Sequence, residues 1–298
     1  MYVEIILLIV AFIWGINLPI MKIGLAYLAP APYNSIRVLI AIPIVWLVLA
    51  LSKTYRPVDR SDIKTIALIS VLGFFVFQLF FTAGVQSTTA GNASVFLGML
   101  PLTVAGINRL FNIEVIVPRV MVAIVASLGG IVLMVVGSGK ELSFAGNHVL
   151  GALLLLFAQF GYGYYTVFSK DLMRKYSPYQ VTAYVITLSG ILFLLVSLPE
   201  MLTLEWSGIP LSGWLSTLYS GIFALCIGNY LWVWGVGKIG SARSSLYNNL
   251  SPAFAIITSY FLLGETFGLP QCAGAAVIFW GVYLTRTRPG APATETEK

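Results

Sequence analysis

The sequence predicts an all-α integral membrane protein: ten transmembrane helices in two inverted five-helix repeats, N-in/C-in. Three observations lead there, namely composition, the spacing of apolar runs and an internal duplication. Hydrophobic residues make up 58% of the 298 residues and charged residues only 9%, whereas a soluble protein carries about 25% charged residues. Such a chain cannot cover a globule with a solvated surface, so lipid is its natural environment. The net charge of +6 does not imply nucleic acid, because the basic residues are dispersed between apolar runs.

Crossing the ~30 Å hydrocarbon layer takes about 20 apolar residues, each rising about 1.5 Å. Ten runs meet this need: 3–27, 32–52, 63–86, 90–110, 117–136, 148–170, 178–198, 212–236, 243–262 and 268–285. The first has Glu4 where a cleavable leader would have a basic start, so it reads as a span. The connections are short, with turn-formers such as Ala29-Pro30-Ala31-Pro32 and Gln86-Ser87-Thr88-Thr89. No soluble domain fits between them. One membrane domain follows, with repeats at 1–140 and 147–286 and a disordered cytoplasmic tail at 289–298. Cys226 and Cys272 lie within apolar runs and read as small buried hydrophobes, not as a disulfide or metal pair.

Lys and Arg placement sets the orientation. With the N-terminus inside, inside segments hold Lys53, Arg56, Arg60, Lys64, Arg109, Arg119, Lys170, Arg174, Lys175, Lys238, Arg243, Arg286, Arg288 and Lys298. Outside loops hold Lys140 alone, and Lys22 and Arg37 fall within runs. The asymmetry fixes N-in/C-in.

The duplication is visible as Gly84, Val85, Ser94, Pro101 and Glu114 recurring 151 positions on as Gly235, Val236, Ser245, Pro252 and Glu265, with Gly130 and Gly281 as a further match. Earlier, Trp14-Gly15 aligns with Phe160-Gly161, and Pro32-Tyr33 with Pro178-Tyr179. Each copy has five spans, and an odd number of crossings forces the second copy to enter from the opposite side. Inverted repeats of this kind supply two related conformations, one open to each side, and recur among secondary transporters.

These features together resemble the drug/metabolite transporter superfamily and, within it, EamA-type exporters. The residues carrying the likeness are Trp14-Gly15 with Pro19 and Lys22, then Arg37, then the Pro101–Glu114 and Pro252–Glu265 segments. The resemblance spans essentially the whole chain, and among family members it is nearest to bacterial exporters of aromatic amino acids. It implies a multi-pass protein of the bacterial inner membrane.

Polar side chains in mid-span are costly and face the bundle interior or a wet cavity. Gln78 and Asn229 occupy equivalent positions in the two copies, and read either as cavity-facing amides or as interhelical hydrogen-bonding groups. Phe74, Gln78 and Phe81 share one helical face, with Trp232 beside Asn229; such a stripe offers stacking to an aromatic solute or ordinary packing. Trp14 and Asn17 share a face of span 1, where Asn17 lines a cavity or repairs the break at Pro19. Gln159 and Tyr162 share a face of span 6, beside Gly161 and Gly163, which read as packing glycines. Asn92, Phe96, Tyr247 and Asn248 are secondary cavity candidates. Pro101 and Pro252 are expected to kink their helices near mid-span, as gates or as static bends.

Lys22 reads as snorkelling to the interface, while the deeper Arg37 pairs with carbonyls or attracts a carboxylate-bearing solute. Glu114 and Glu265, near span ends, read as helix-capping or loop-binding carboxylates. No carboxylate occupies mid-span, which disfavours a proton-coupled multidrug antiporter and a cationic substrate. Enzyme motifs are absent, and the single histidine, His148, stands at an outer helix end. A channel filter is not visible either. The expectation is an exporter of amino acids, aromatic or otherwise apolar, working by alternating access around a central cavity. Its alternatives are export of another small metabolite or drug, a non-transporting receptor, and an intramembrane enzyme. The implied partners are a small-molecule substrate and lipid, with no cofactor, no metal, no nucleic acid and a monomeric state.

Overall fold

A computed structural model of the chain describes residues 2–87, 93, 96–137, 147–255, 258 and 268–284. The candidates Asn92 and Glu265, and the tail from Pro289, lie outside these residues. Every regular element among the described residues is a helix. In order, α1 is Tyr2–Leu25, α2 Pro30–Ser52 and α3 Arg60–Ser87. Next come α4 Leu100–Phe111, α5 Pro118–Gly137, α6 Asn147–Leu172 and α7 Pro178–Thr203. The last are α8 Leu211–Ile239, α9 Ser241–Asn248 and α10 Leu269–Leu284. Six of these, α1, α2, α3, α6, α7 and α8, are long and apolar enough to cross a bilayer, and α5 and α10 add shorter apolar stretches.

Local chemistry places the starts. Pro30, Pro118 and Pro178 open α2, α5 and α7, where the missing N–H costs no hydrogen bond and φ is already helical. Ser177 caps α7 by accepting from the Gln180 amide at 3.3 Å. Outward faces are apolar, with Leu47, Leu51, Leu195 and Leu202 all exposed, as expected of surfaces in contact with lipid. Lys22 is exposed in the last turn of α1, in keeping with snorkelling. Cys226 is buried, but Cys272 is exposed on α10, so only the first is the buried hydrophobe that its apolar run suggested.

Packing is reciprocal. α3 lies against α6 and α7, whereas α8 lies against α1 and α2. α4 meets α9, and α5 meets α10. The α5–α10 crossing is close because Gly130 and Gly281 face the opposite helix: a Cβ at Gly130 would stand 2.7 Å from the Gly274 carbonyl, and one at Gly281 2.6 Å from Ser127 Oγ. Gly161 likewise admits α3, its would-be Cβ lying 3.0 Å from the Gly73 carbonyl, which agrees with the packing reading.

α3 and α8 each contain a stretch of wide turns, Ile69–Phe75 and Ser220–Gly228. Ile69 and Ser220 are separated by the same 151 positions as the duplicated residues. Wide turns are rare and recur where side chains must be re-aimed.

Both matched prolines follow a break rather than a bend. α4 begins at Leu100 with Pro101 in its first turn, after a turn at 98–99. Pro252 follows a turn at 249–250, beyond the end of α9. A proline in a first turn removes no intrahelical hydrogen bond, so the expected mid-span kink is replaced by an interruption in each copy.

Glu114 ties the first half of the chain to the second. Its carboxylate accepts from Lys170 Nζ at 2.7 Å and from the Ser241 and Ala242 amides at 3.0 and 3.4 Å. It therefore caps α9, not the helix that follows it. Gly240, at φ +85°, makes the turn that presents those amides, a conformation L side chains rarely adopt. Burial pushes the Glu114 carboxyl up, but Lys170 and the two amides outweigh it and hold the pKa below its ordinary 4.5. A depressed carboxylate pKa stabilises the fold above the ordinary value, and this is lost as pH falls through the lower, folded value. Glu114→Ala is thus expected to cost about 1–3 kcal/mol at pH 7, the penalty for buried donors left unpaired. Heat denaturation of the purified protein at pH 7 checks this; equal stability would remove Glu114 from the account.

Candidate functional site

A cavity of about 70 Å³ lies where α1, α2, α3, α6 and α8 meet the two interrupted helices, smaller than the about 300–1,000 Å³ of small-molecule sites, so its walls must part to admit a solute. The structure brings eight of the sequence candidates to its wall: Trp14, Asn17, Gln78, Phe81, Gln159, Tyr162, Asn229 and Asn248. Arg37, Phe77, Leu97 and Ser251 join them.

The aromatic side is a stacked column. Tyr162 stacks on Phe77 at an interplanar angle of 28° with centroids 4.3 Å apart, and Phe77 continues onto Phe81 at 5.3 Å. Trp14 meets Tyr162 edge-on at 5.8 Å. Trp232 stands behind the wall, 5.9 Å from Tyr162 and 5.2 Å from Trp14, with Nε1 donating to Thr166 Oγ1. Phe74 is also behind the wall, edge-on to Tyr165 at 5.4 Å. The stripe drawn at ordinary helical spacing therefore shifts: wide turns end at Phe75, and Phe77 takes the facing position expected of Phe74. Phe96 is half-buried against the core outside the wall, and Tyr247 lines a separate crevice with Leu8 and Trp280.

The polar side is organised by the wide turns of α8. Asn229 Nδ2 donates to the Ala224 and Leu225 carbonyls at 3.2 and 3.1 Å, and Trp14 Nε1 also donates to Ala224 at 3.2 Å. Both Asn229 amide hydrogens are thereby engaged, so Oδ1 is the atom left over. Asn17 Oδ1 accepts from Ser220 Oγ at 2.6 Å, which ties α1 to α8 and does not repair the Pro19 break. Across the cavity, Asn248 Nδ2 donates to the Leu97 carbonyl at 3.3 Å. Leu97 and Asn248 are themselves 151 positions apart, so equivalent points of the two interruptions touch.

Buried polar groups in proteins nearly always have partners. Here six wall residues carry buried atoms with none among the described residues: Arg37 Nε, Gln78 Oε1, Gln159 Oε1, Tyr162 OH, Asn229 Oδ1 and Ser251 Oγ. All six residues line the one cavity, so a solute or water entering it has unpartnered donors and acceptors close by, beside an aromatic face. Among the described residues no three His, Cys, Asp or Glu side chains gather as metal ligands.

Comparison with known proteins agrees with a membrane carrier. Residues 1–136 and again 149–287 match the EamA-like transporter family. A "Probable amino-acid metabolite efflux pump" of Salmonella typhimurium is 25% identical, over 93% of this chain and 92% of its own. A "Probable terminal-alkyne amino-acid exporter" of Streptantibioticus cattleyicolor is 24% identical, over 92% and 90%. An "Uncharacterized transporter" of Archaeoglobus fulgidus is 25% identical, over 91% and 94%. One solved crystal structure superimposes with a TM-score of 0.79, covering 95% of this chain and 98% of that one at 16% identity, a likeness of fold alone. These relatives are transporters and not enzymes, and the chain belongs to the EamA-like transporter family.

Proposed function

We propose that this transporter exports amino acids, aromatic or otherwise apolar, from the cytoplasm across a bacterial inner membrane. It works as a monomer of two inverted five-helix units, with both termini inside, alternating access to the cavity between them. The observation that carries this reading is the cavity wall, which combines an aromatic column with six orphaned polar groups spread around it. A solute with an apolar body and a small polar head satisfies both at once. The two relatives named for amino-acid export favour the same substrate class.

Purified protein in proteoliposomes is expected to move phenylalanine, tyrosine or tryptophan down an imposed gradient, above the rate of protein-free vesicles. Flux of an unrelated metabolite with none of these three would overturn the substrate while leaving the fold intact.

A further inference from the structure

Arg37 is a charged group buried among apolar helices. It is 1% exposed in the middle of an apolar bundle, where an unpaired charge is expensive. Among the described residues no carboxylate forms an ion pair with it. Both of its recorded hydrogen bonds leave from Nη1, to Asn34 Oδ1 at 3.2 Å and to the Met21 sulfur at 3.9 Å, and Nε finds no acceptor. The Tyr33 ring lies 5.6 Å from the guanidinium carbon, a partial substitute for a counter-charge.

The guanidinium is also held in place. Asn34 donates through Nδ2 to the Gln78 carbonyl and to Thr82 Oγ1, at 3.1 and 3.0 Å. This fixes the amide so that Oδ1 faces Arg37. Gly221 lets α8 close onto the same turn of α2, where a Cβ would stand 2.7 Å from the Arg37 carbonyl. The result is a rigid, uncompensated positive charge in the wall of the cavity, with its Nε edge unoccupied.

We propose that Arg37 is the carboxylate anchor of the site, so that the solute must carry a carboxylate. The Nε edge of a guanidinium matches the two oxygens of a carboxylate, and the pairing is strongest where water is excluded. Among the described residues the cavity wall holds no side-chain carboxylate, so the solute supplies the counter-charge. The orphaned Asn229 oxygen is then available to an ammonium, and the aromatic column to the side chain. The assignment rests on the proposed export of amino acids for the choice of test ligand, though not for its geometry.

The test is competition for labelled phenylalanine binding by phenylalaninamide, which lacks the carboxylate, and by 3-phenylpropionate, which lacks the ammonium. The amide is expected to compete at least about tenfold more weakly than phenylalanine, the size of one lost charge-assisted hydrogen bond, while 3-phenylpropionate still competes. Arg37→Gln is expected to erase the difference. Asn34→Asp, which gives Arg37 an internal counter-ion, is expected to do the same, and it covers the case in which Arg37→Gln does not fold. Equal competition by the amide in the wild type, or discrimination that survives in either folded variant, would overturn the proposal. If phenylalanine does not bind at all, the function reading fails separately. The anchor is then read from heat stabilisation by 3-phenylpropionate against 3-phenylpropionamide: a carboxylate-dependent shift lost in the variants supports it, and equal shifts overturn it.

Discussion

Asn229→Ala is expected to cut amino-acid flux by at least about tenfold while leaving folded protein in the membrane. The substitution acts twice. It deletes the orphaned Oδ1 from the wall, and it releases the Ala224 and Leu225 carbonyls that Nδ2 holds. Each lost buried hydrogen bond costs about 1 kcal/mol, too little to unfold a bundle of this size but enough to loosen the wide turns that carry two wall residues. Gln78→Ala removes a side-chain amide whose oxygen has no partner from the opposite face, while the Gln78 contact with Asn34 and Thr82 runs through its backbone carbonyl and is kept. Its effect is therefore smaller. Proteoliposome flux normalised to reconstituted protein measures both, and wild-type rates in both would return the paired amides to a purely structural role.

Those two residues also mark how far the sequence could be read. Composition and apolar runs sufficed for an all-helical membrane fold, and the 151-residue offset singled out Gln78 and Asn229, which both reach the cavity wall, because polar groups are rare in apolar segments. The aromatic wall was half legible. Trp14, Phe81 and Tyr162 were reachable from helical faces, and so was Phe77, four residues before Phe81 on the same regular stretch; what ordinary spacing could not show is that the wide turns ending at Phe75 leave Phe74 off that face. Trp232 and Phe74 were credited to the wall because spacing does not separate a lining ring from one packed directly behind it. Arg37 was visible as an isolated charge, yet nothing in its neighbours' identities told that Asn34 would turn it toward the cavity. Pro101 and Pro252 signalled irregular backbone correctly, although a bend and a break look alike when only the proline is known.

Gly130→Leu and Gly281→Leu are expected to remove most of the properly folded protein. The atoms in the way at Gly130 include the Gly274 carbonyl at 2.7 Å, and those at Gly281 include the Ala123 carbonyl at 3.1 Å. Backbone cannot step aside as a flexible side chain can. Overpacking typically costs about 1–3 kcal/mol, and here even the first carbon is too close before the rest of leucine is added. Gly129 is the natural control, because nothing lies within 4 Å of a Cβ there. The fraction of protein that stays monodisperse after extraction and mild heating reports the effect. A Gly130 variant as stable as the matching Gly129 variant would sink the close-crossing account of α5 and α10.

The wide turns at Ile69–Phe75 and Ser220–Gly228 have a mechanical meaning beyond the residues they aim. Each stores spare chain inside a span of fixed length. Tightening one to the ordinary α-helical pitch would turn the remainder of its helix by about 100° and displace it by about 1.5 Å per residue of slack taken up. α3 and α8 thus each carry a built-in clutch, placed just ahead of Gln78 in one and Asn229 in the other.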